Sequence, residues 1–325
     1  MWAAAGRRLL AALPTLLGVT LVTFLVMEAA PGDPAALAAR GTAPGVDRAE
    51  VESRLRAFME LDRPAAERYL VWLGRAATFD FGRSLVNGEP VSARLARALP
   101  PTLILGAAAL LLGLLVSVPL GVWCAGRAGS RTDRAVSGVL LALYSIPPWV
   151  AGLFLILLFS VWLDWLPLGG WRSGDWAELS LAGKAVDIAA HAALILVATL
   201  LPCLAHDARF VRQAVLEELE KDHITAARAR GLPEGRVLWV HALRGALVPI
   251  VTLAGLSLPL LISGSVIMEQ IFRWPGMGRL FFTALQARDY PVIMAVTTLG
   301  AVLVVAGNLF ADLAAILADP RLRRG

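Results

Sequence analysis

The chain has 325 residues, of which 58% are hydrophobic and 17% are charged, and its mean hydropathy is +0.68. This composition lies outside the usual range of soluble globular proteins and indicates a membrane protein. The formal net charge of +5 does not indicate a nucleic-acid-binding protein, because the arginines flank long apolar runs instead of forming one basic domain. The two isolated cysteines predict neither a disulfide framework nor a metal site.

Six apolar segments are candidates for membrane-spanning helices. A helix needs about 20 residues to cross a hydrocarbon core about 30 Å thick, and only a helix satisfies its own backbone hydrogen bonds there. The segments cover about 9–29, 101–123, 135–163, 188–206, 247–268 and 291–311. The first is longer than the apolar core of a signal peptide, so we expect it to be retained. The sequence therefore predicts an all-α polytopic membrane protein with six transmembrane helices.

Basic residues near the ends of these segments predict their orientation, because arginine and lysine concentrate in short cytoplasmic segments. Here they concentrate at both termini, after the second segment, and between the fourth and fifth. They are Arg7, Arg8, Arg127, Arg131, Arg134, Arg209, Arg212, Lys221, Arg228, Arg230, Arg236, Arg244, Arg321, Arg323 and Arg324. We therefore expect both termini to lie in the cytoplasm.

Two polar regions separate the apolar segments. The region at about 30–100 carries both signs of charge and has an amphipathic helical pattern near 51–73, which predicts a small folded cap outside the cell. The region at about 207–244 is also charged and helical in pattern, but it is expected on the cytoplasmic side.

The cytoplasmic region predicts two short helices joined by a turn. Asp222 is placed to cap the first helix, and Gly231 suits the left-handed position at its end. Pro233 suits the first turn of the next helix. Three small helix-forming residues lie between them, namely Ala226, Ala227 and Ala229. Small side chains on an exposed face let another protein's backbone approach closely, so the hairpin is predicted to be a docking site.

This hairpin resembles the EAA signature of ABC importer permeases, in particular the branch for dipeptides, oligopeptides and nickel. The pattern of Glu-Ala-Ala, three residues and Gly falls on Thr225, Ala226, Ala227 and Gly231. Thr225 replaces the glutamate, and His241 occupies a position where isoleucine is expected. The later proline of the pattern corresponds best to Pro249, displaced along the chain.

Shorter matches to the same family occur along nearly the whole chain. They are APGDP (30–34), LDRP (61–64), FGRS (81–84), LPPTL (99–103), SIPPW (145–149), FRWPGMGRL (272–280), RDYP (288–291) and DPRLR (319–323). The matches are individually modest and jointly specific.

The resemblance implies a type I importer transmembrane domain over 95–316, preceded by the first span and cap at 1–94 and followed by a cytoplasmic tail at 317–325. It implies a place in the prokaryotic inner membrane beside a second permease, which we expect to be a different chain. Two cytoplasmic ABC ATPases and an extracytoplasmic solute-binding protein are the other implied partners. The cargo stays open among dipeptides, longer peptides, glutathione-like molecules and nickel chelates.

The energy for transport is expected to come from those ATPases. The sequence contains no G-x-x-x-x-G-K-[ST] loop, so we expect no enzyme activity, and ATP and Mg²⁺ are expected on the partner subunits. No cofactor or metal is expected on this chain. The residues expected to form the ATPase-coupling loop are Asp222, Thr225, Ala226, Ala227, Ala229, Gly231, Leu232 and Pro233. We expect this loop to move as a rigid lever when the ATPase dimer closes.

A second group of residues is expected at a gate or along the pathway. Its members are Pro147, Pro148, Glu269, Trp274, Pro275 and Gly276. The two adjacent prolines predict a kink in the third span, which serves either helix packing or a gating hinge. The stretch 273–289 predicts a short re-entrant or interfacial helix, or an amphipathic loop on the headgroups.

Polar residues within the spans are further candidates, because burying them in lipid is costly. Glu28, Glu269 and Asp312 lie near span ends, where they are expected to have interface or helix-end roles. His191 and Asn308 lie deeper and are expected to bond a neighbouring helix or to line the pathway.

Two other functional classes compete with the importer reading. A serine protease using Ser263 or Ser265 with His191 has only residue types in its favour. A channel or an ion-coupled carrier would be favoured by several mid-span charges or by inverted repeats, and neither is evident in the sequence.

Overall fold

The structure is a computed structural model that describes residues 2–31, 35–36, 47–58, 61–263 and 265–318. Part of the APGDP segment, the DPRLR segment and the three arginines near the C-terminus lie outside the described residues. The helices are α1 (Trp2–Glu28), α2 (Arg48–Phe58), α3 (Ala65–Ala76), α4 (Val91–Ala125), α5 (Arg131–Ser145), α6 (Pro148–Ile156), α7 (Leu181–Leu219), α8 (Asp222–Ala229), α9 (Glu234–Arg236), α10 (Leu243–Ser263), α11 (Val266–Ile271), α12 (Met277–Gln286) and α13 (Tyr290–Ala318).

Less regular helical turns extend three of these elements. A π-helix at Leu157–Trp162 continues α6, and a second one at Val237–Ala242 joins α9 to α10. A 3₁₀ turn at Trp176–Glu178 precedes α7. The described part of the chain contains no β-strand.

The described helices support the predicted number of spans. Five helices are long and apolar enough to cross a membrane, and a sixth span results if α5 and α6, bent by 91°, count as one broken span. The bend has a local cause, because a residue that precedes a proline is driven out of the helical region. Ile146 and Pro147 both precede a proline, and their ψ angles are 120° and 134°. The predicted kink in this span is therefore confirmed.

Helix α7 is longer than the apolar segment that the sequence marks at about 188–206. It has 39 residues, starts beside the Ser180 N-cap and continues through Pro202 to Leu219. The charged residues that follow the apolar segment are good helix formers, so nothing in the local sequence ends the helix there. The first part of the charged region, residues 207–219, is therefore a continuation of the spanning helix α7.

The chain forms two compact units. The first comprises residues 1–102 and 275–305, and the second comprises 103–274 and 306–325. In the first unit the core lies around Phe81, Val91, Leu95, Met277, Leu280 and Val292. In the same unit α3 packs on α1, where the Tyr69 hydroxyl lies 2.9 Å from the Thr20 hydroxyl and the Tyr69 ring lies 5.4 Å from that of Phe24.

The second unit has two main apolar clusters. One lies at the base of the hairpin between α7 and α10 and contains Val122, Val211, Val215, Ile224, Val237 and Ile250. The other contains Leu105, Leu194, Ile195, Met268, Phe272 and Trp274. Helices α4 and α7 approach closely, because a Cβ added at Gly121 would lie 2.6 Å from the Ala208 carbonyl oxygen.

Candidate functional site

The segment between α7 and α10, residues 220–242, is called the connecting hairpin below. Its first helix, α8, starts at Asp222, and Lys221 occupies the N-cap position with ψ 151°. The prediction that Asp222 caps this helix is therefore wrong by one residue. The extended backbone falls on Lys221, whose carbonyl accepts from Ile224 and Thr225 at 3.0 and 3.3 Å. In the first turn, the Asp222 carboxylate still interacts favourably with the helix dipole.

The end of α8 forms a Schellman motif. The Gly231 N–H donates to the Arg228 carbonyl at 2.9 Å, and the Leu232 N–H donates to the Ala227 carbonyl at 3.4 Å. Gly231 has φ 78°, so the predicted left-handed position is confirmed. The half-buried Leu232 packs against the cluster that includes Ala227, as is common for this motif. The turn is therefore fixed by backbone geometry.

Pro233 directs the chain into the second half of the hairpin. It is the N-cap of α9 with φ −65° and ψ 142°, one residue before the first turn where it was expected. Its carbonyl accepts from Arg236 and Val237 at 2.8 and 3.1 Å. Across the turn, the Arg228 guanidinium donates to both oxygens of Glu234 at 2.8 and 3.3 Å.

The two faces of α8 differ in burial. Ile224 and Ala227 are buried in the cluster at the hairpin base, because residues three apart share one helix face. Thr225, Ala226 and Ala229 are exposed on the other face. The expectation that all three alanines form a docking face is therefore wrong for Ala227, whose side chain faces the interior.

A buried carboxylate lies at the base of the hairpin and was not predicted. Glu218 is buried near the end of α7, and its carboxylate pairs with the Lys221 ammonium and lies 3.2 Å from His223 Nε2. It also lies against α10, where a Cβ added at Gly245 would be 2.0 Å from Glu218 Oε1. A glycine at 245 therefore provides the space that this carboxylate occupies.

A second buried carboxylate joins α5 to α7. Asp133 is 3% exposed and accepts two hydrogen bonds from the Arg212 guanidinium, at 2.8 and 2.7 Å. The Gly129 N–H also donates to it at 2.9 Å, and the Ser130 hydroxyl accepts from the Asp133 N–H at 3.1 Å as the N-cap of α5. The sequence treats Arg212 as an orientation signal, and nothing near it indicates its partner 79 residues away.

The gate candidates of the second unit differ in burial. Pro147 is exposed and Pro148 half-buried at the break between α5 and α6, whereas Glu269 and Trp274 are fully buried around α11. Of the two roles expected for Glu269, the helix-end role therefore fits, and the interface role does not. Glu269 lies in the first turn of the short helix α11, and that turn packs into the protein.

Trp274 lies beside a loop that precedes α7. The Trp171 ring meets it edge-on at a centroid distance of 6.1 Å, and the Gly170 N–H donates to the Phe272 carbonyl at 2.8 Å. A Cβ added at Gly169 would lie 2.5 Å from the same carbonyl oxygen. The loop backbone therefore approaches the segment before Trp274 as closely as glycine permits.

Pro275 and Gly276 belong to the first unit, where they lead into α12. Gly276 is buried and is the N-cap, and the next N–H, that of Met277, donates to the buried Thr102 hydroxyl at 2.8 Å. A short helix was expected within 273–289, and α12 confirms that helix.

These elements match a known transport family. Residues 117–324 match the family described as binding-protein-dependent transport system inner membrane component. The chain belongs to this family. The permease is 41% identical over 317 residues to the oligopeptide transport system permease protein AppB of Bacillus subtilis (strain 168), covering 97% of this chain and 98% of that protein.

Two other relatives are similar over an equally large part of their length. The permease is 38% identical to the di/tripeptide transport system permease protein DppB of Pseudomonas aeruginosa (strain UCBPP-PA14), covering 98% of both chains. It is 37% identical to the dipeptide transport system permease protein DppB of Escherichia coli (strain K12), covering 98% of this chain and 97% of that protein.

A solved structure supports the fold. A chain of the inward-facing MetNI methionine ABC transporter matches with a TM-score of 0.52 and 19% identity, covering 69% of the permease and 96% of that chain. The predicted type I importer transmembrane fold is therefore confirmed.

Two family segments that lie far apart in the permease sequence meet in the first unit. Asp289 of the RDYP segment is fully buried and accepts from the Ser84 hydroxyl of the FGRS segment at 2.5 Å and from the Leu85 N–H at 3.0 Å. The Arg94 guanidinium donates to the same carboxylate at 2.9 Å. In the sequence, Asp289 appears only as part of the RDYP match, and nothing near it indicates partners about 200 residues earlier in the chain.

The remaining polar candidates occupy separate places. In the first unit Glu28 pairs with Arg68 at the end of α1. In the second unit His191 is buried, and its Nδ1 lies 2.9 Å from the carbonyl of Asp187 one turn earlier in the same helix. Asn308 is exposed on α13. The side chains of Asp312 and Ser263 are outside those described.

The structure adds nothing in favour of a serine protease. The Ser265 hydroxyl accepts a hydrogen bond from the Met268 N–H at 3.4 Å and so serves as the N-cap of α11. The Nδ1 atom of His191 is directed to its own helix. Among the described residues, no group of three or more His, Cys, Asp or Glu side chains is arranged to hold a metal ion.

Proposed function

We propose that the permease carries peptides across the prokaryotic inner membrane as one transmembrane subunit of an ATP-driven importer. The cargo class is supported by the similar proteins, which are named as oligopeptide, di/tripeptide and dipeptide transport permeases. A second permease, two cytoplasmic ABC ATPases and an extracytoplasmic solute-binding protein complete the proposed complex. ATP and Mg²⁺ bind the ATPases, and the permease itself carries no cofactor.

The connecting hairpin is the proposed contact with an ATPase. Its outer face presents small or short side chains at Thr225, Ala226 and Ala229, which allow a groove on another protein to approach the α8 backbone. Its inner face is anchored by Ile224 and Ala227 in the apolar cluster. A helix that contacts a partner with one face and packs on the permease with the other can transmit a movement of the partner to α7 and α10.

The single observation that carries this proposal is the rigid connection between α8 and the spans. The Schellman turn at Gly231 fixes one end of α8, and Glu218 with Lys221 fixes the other. Closure of the ATPase dimer would then move α8, α7 and α10 together. Alternating access follows if inward-open and outward-open packings differ in stability and nucleotide changes that difference.

The test is a substitution that strains the hairpin without touching a span. Gly231→Val places a β-branched residue at φ 78°, which costs about 1 to 2 kcal/mol locally. We expect the variant to insert and assemble in the membrane but to lose ATPase stimulation and transport. The measurement is co-purification with the neighbouring gene products, followed by ATPase activity with and without binding protein and peptide.

Gly235→Val is the matched control. A Cβ at Gly235 meets no described atom within 4 Å, and this glycine is not among those with positive φ. We expect this variant to behave as the unmodified permease. Normal coupling in the Gly231→Val complex would show that the hairpin is not the lever, and a permease that transports alone would refute the importer assignment.

A further inference from the structure

A cluster of two cations and an indole ring lies at the start of α7. The Arg172 guanidinium lies 4.9 Å from the centroid of the Trp176 ring, and the Lys184 ammonium lies 4.9 Å from the same centroid. Arg172 also lies 6.0 Å from the Trp171 ring. Within the described part of the chain, neither cation forms an ion pair. Two positive charges therefore form cation–π contacts with the same ring, that of Trp176.

The loop that carries this cluster is held in place on two sides. The Ser173 N–H and hydroxyl donate to the Asp187 carboxylate of α7 at 3.0 and 2.5 Å. On the other side, the Gly170 N–H donates to the Phe272 carbonyl at 2.8 Å. The cations are therefore presented from a fixed backbone, and an anion bound between them would require little ordering of the loop.

The nearby acids leave this positive charge available. Asp175 and Glu178 are exposed in the same loop, and the nearest helical acid, Asp187, is bound by Ser173. None of these three carboxylates is within ion-pair distance of Arg172 or Lys184 in the described structure. In addition, the Trp176 Nε1 atom is buried and has no hydrogen-bond partner among the described residues. The cluster is therefore rich in donors and positive charge.

Large apolar side chains surround the cluster along the chain. Leu181 is 88% exposed at the first position of α7, and other exposed side chains in the same stretch are Val161, Trp162, Trp165, Leu168 and Val186. Helix α7 is one of the candidate membrane spans, and its first turn lies about seven residues before the apolar segment at about 188–206, which is consistent with a position at the headgroups. Tryptophan and cationic side chains are both favoured at that depth.

We propose that Arg172, Lys184 and Trp176 form a binding site for the phosphate of an anionic phospholipid. In this site the Arg172 guanidinium and the Lys184 ammonium would contact the phosphate, and exposed apolar side chains close to them in sequence, such as Leu181, would contact the acyl chains. Lipid is favoured over an acidic protein surface, because the unpaired charge and the exposed apolar side chains occur together. The site has no part in the proposed contact with the ATPase.

The experiment uses the purified, delipidated complex and phosphatidylglycerol as the probe. Binding is counted by native mass spectrometry, with phosphatidylcholine as the uncharged-lipid comparison and inorganic phosphate as the free-anion comparison. The variant R172Q/K184Q removes both charges. We expect its affinity for phosphatidylglycerol to fall on the order of tenfold or more, since each interfacial cation contributes about 1 kcal/mol to attraction of an anionic lipid.

The matched control is R48Q/R54Q, which removes the same number of charges from α2 of the cap. We expect it to bind phosphatidylglycerol as the unmodified complex does. The single variant Lys184→Gln keeps one cation, and we expect it to lose part of the affinity for phosphatidylglycerol. It provides a second test of the site if the double variant misfolds.

Three results would overturn the proposal. The first is equal phosphatidylglycerol affinity in R172Q/K184Q and R48Q/R54Q. The second is saturation of the cluster by inorganic phosphate alone, which would identify a free-anion site. The third is loss of binding-protein affinity in R172Q/K184Q with lipid binding unchanged, which would identify a protein contact. None of these results depends on ATPase activity, so they leave the proposed function to its own test.

Discussion

Gly245→Ala tests whether the contact between Glu218 and α10 fixes the base of the connecting hairpin. The added methyl carbon would lie 2.0 Å from Glu218 Oε1, 2.2 Å from its Cδ and 2.6 Å from its Cγ. All three distances are too short for contact without movement, so the buried carboxylate must move. Moving it separates it from Lys221 and His223, its partners at the start of α8.

The expected cost combines overpacking with weakened charge pairing. Inserting a methyl group into a packed site costs about 1 to 3 kcal/mol. Glycine to alanine within a helix otherwise stabilises by about 1 kcal/mol, so the net packing cost is about 0 to 2 kcal/mol, and the weakened pairing of Glu218 with Lys221 adds to it. The readouts are the thermal unfolding temperature of the purified permease in detergent and the ATPase stimulation of the assembled complex.

A double-mutant cycle identifies the mechanism. Removing the carboxylate by Glu218→Ala should relieve the clash, so E218A/G245A should be more stable than the sum of the two single changes predicts. Gly235→Ala controls for a methyl group added to a glycine of the neighbouring connecting hairpin, where it would meet no described atom within 4 Å, and it should change stability little. Strict additivity of E218A and G245A would refute the proposed contact.

Two further substitutions test the buried carboxylates of Asp133 and Asp289. Arg212→Ala leaves Asp133 buried without its guanidinium, which should cost about 3 to 5 kcal/mol and lower the unfolding temperature far more than Arg209→Ala, whose side chain is exposed. Asp289→Asn removes the charge that accepts from Arg94 and the Ser84 hydroxyl, at a cost of about 1.5 to 3 kcal/mol. Limited proteolysis of the 79–90 loop should be faster in that variant, and an unchanged rate would contradict the anchoring role.

The features that the sequence predicted are those set by local chemistry or by the membrane. Six apolar segments follow from hydropathy, because lipid requires a long uncharged helix. The break at Pro147 and Pro148 and the left-handed turn at Gly231 follow from backbone sterics that act within a few residues. Each of these could be predicted without knowing what the segment contacts.

The features that the sequence missed depend on contacts between distant segments. In the sequence, nothing distinguishes Asp289 from the other charged residues between apolar segments, because its partner Ser84 lies far away along the chain. Glu218 is one of three glutamates within four residues, and only the position of Gly245 on the facing helix distinguishes it. The sequence does not distinguish Ala227 from its neighbour Ala226. Which of the two is buried depends on the rotation of α8 relative to the apolar cluster at the hairpin base.

If the connecting hairpin moves as proposed, the length of α7 sets the scale of the movement. A helix of 39 residues is about 58 Å long at 1.5 Å per residue. A tilt of about 10° around one end of such a rod displaces the other end by about 10 Å, several times the length of a hydrogen bond. A small tilt near Glu218 would thereby produce a large displacement at Ser180, at the opposite end of the helix. The two ends of this helix therefore cannot move independently as long as the helix stays continuous.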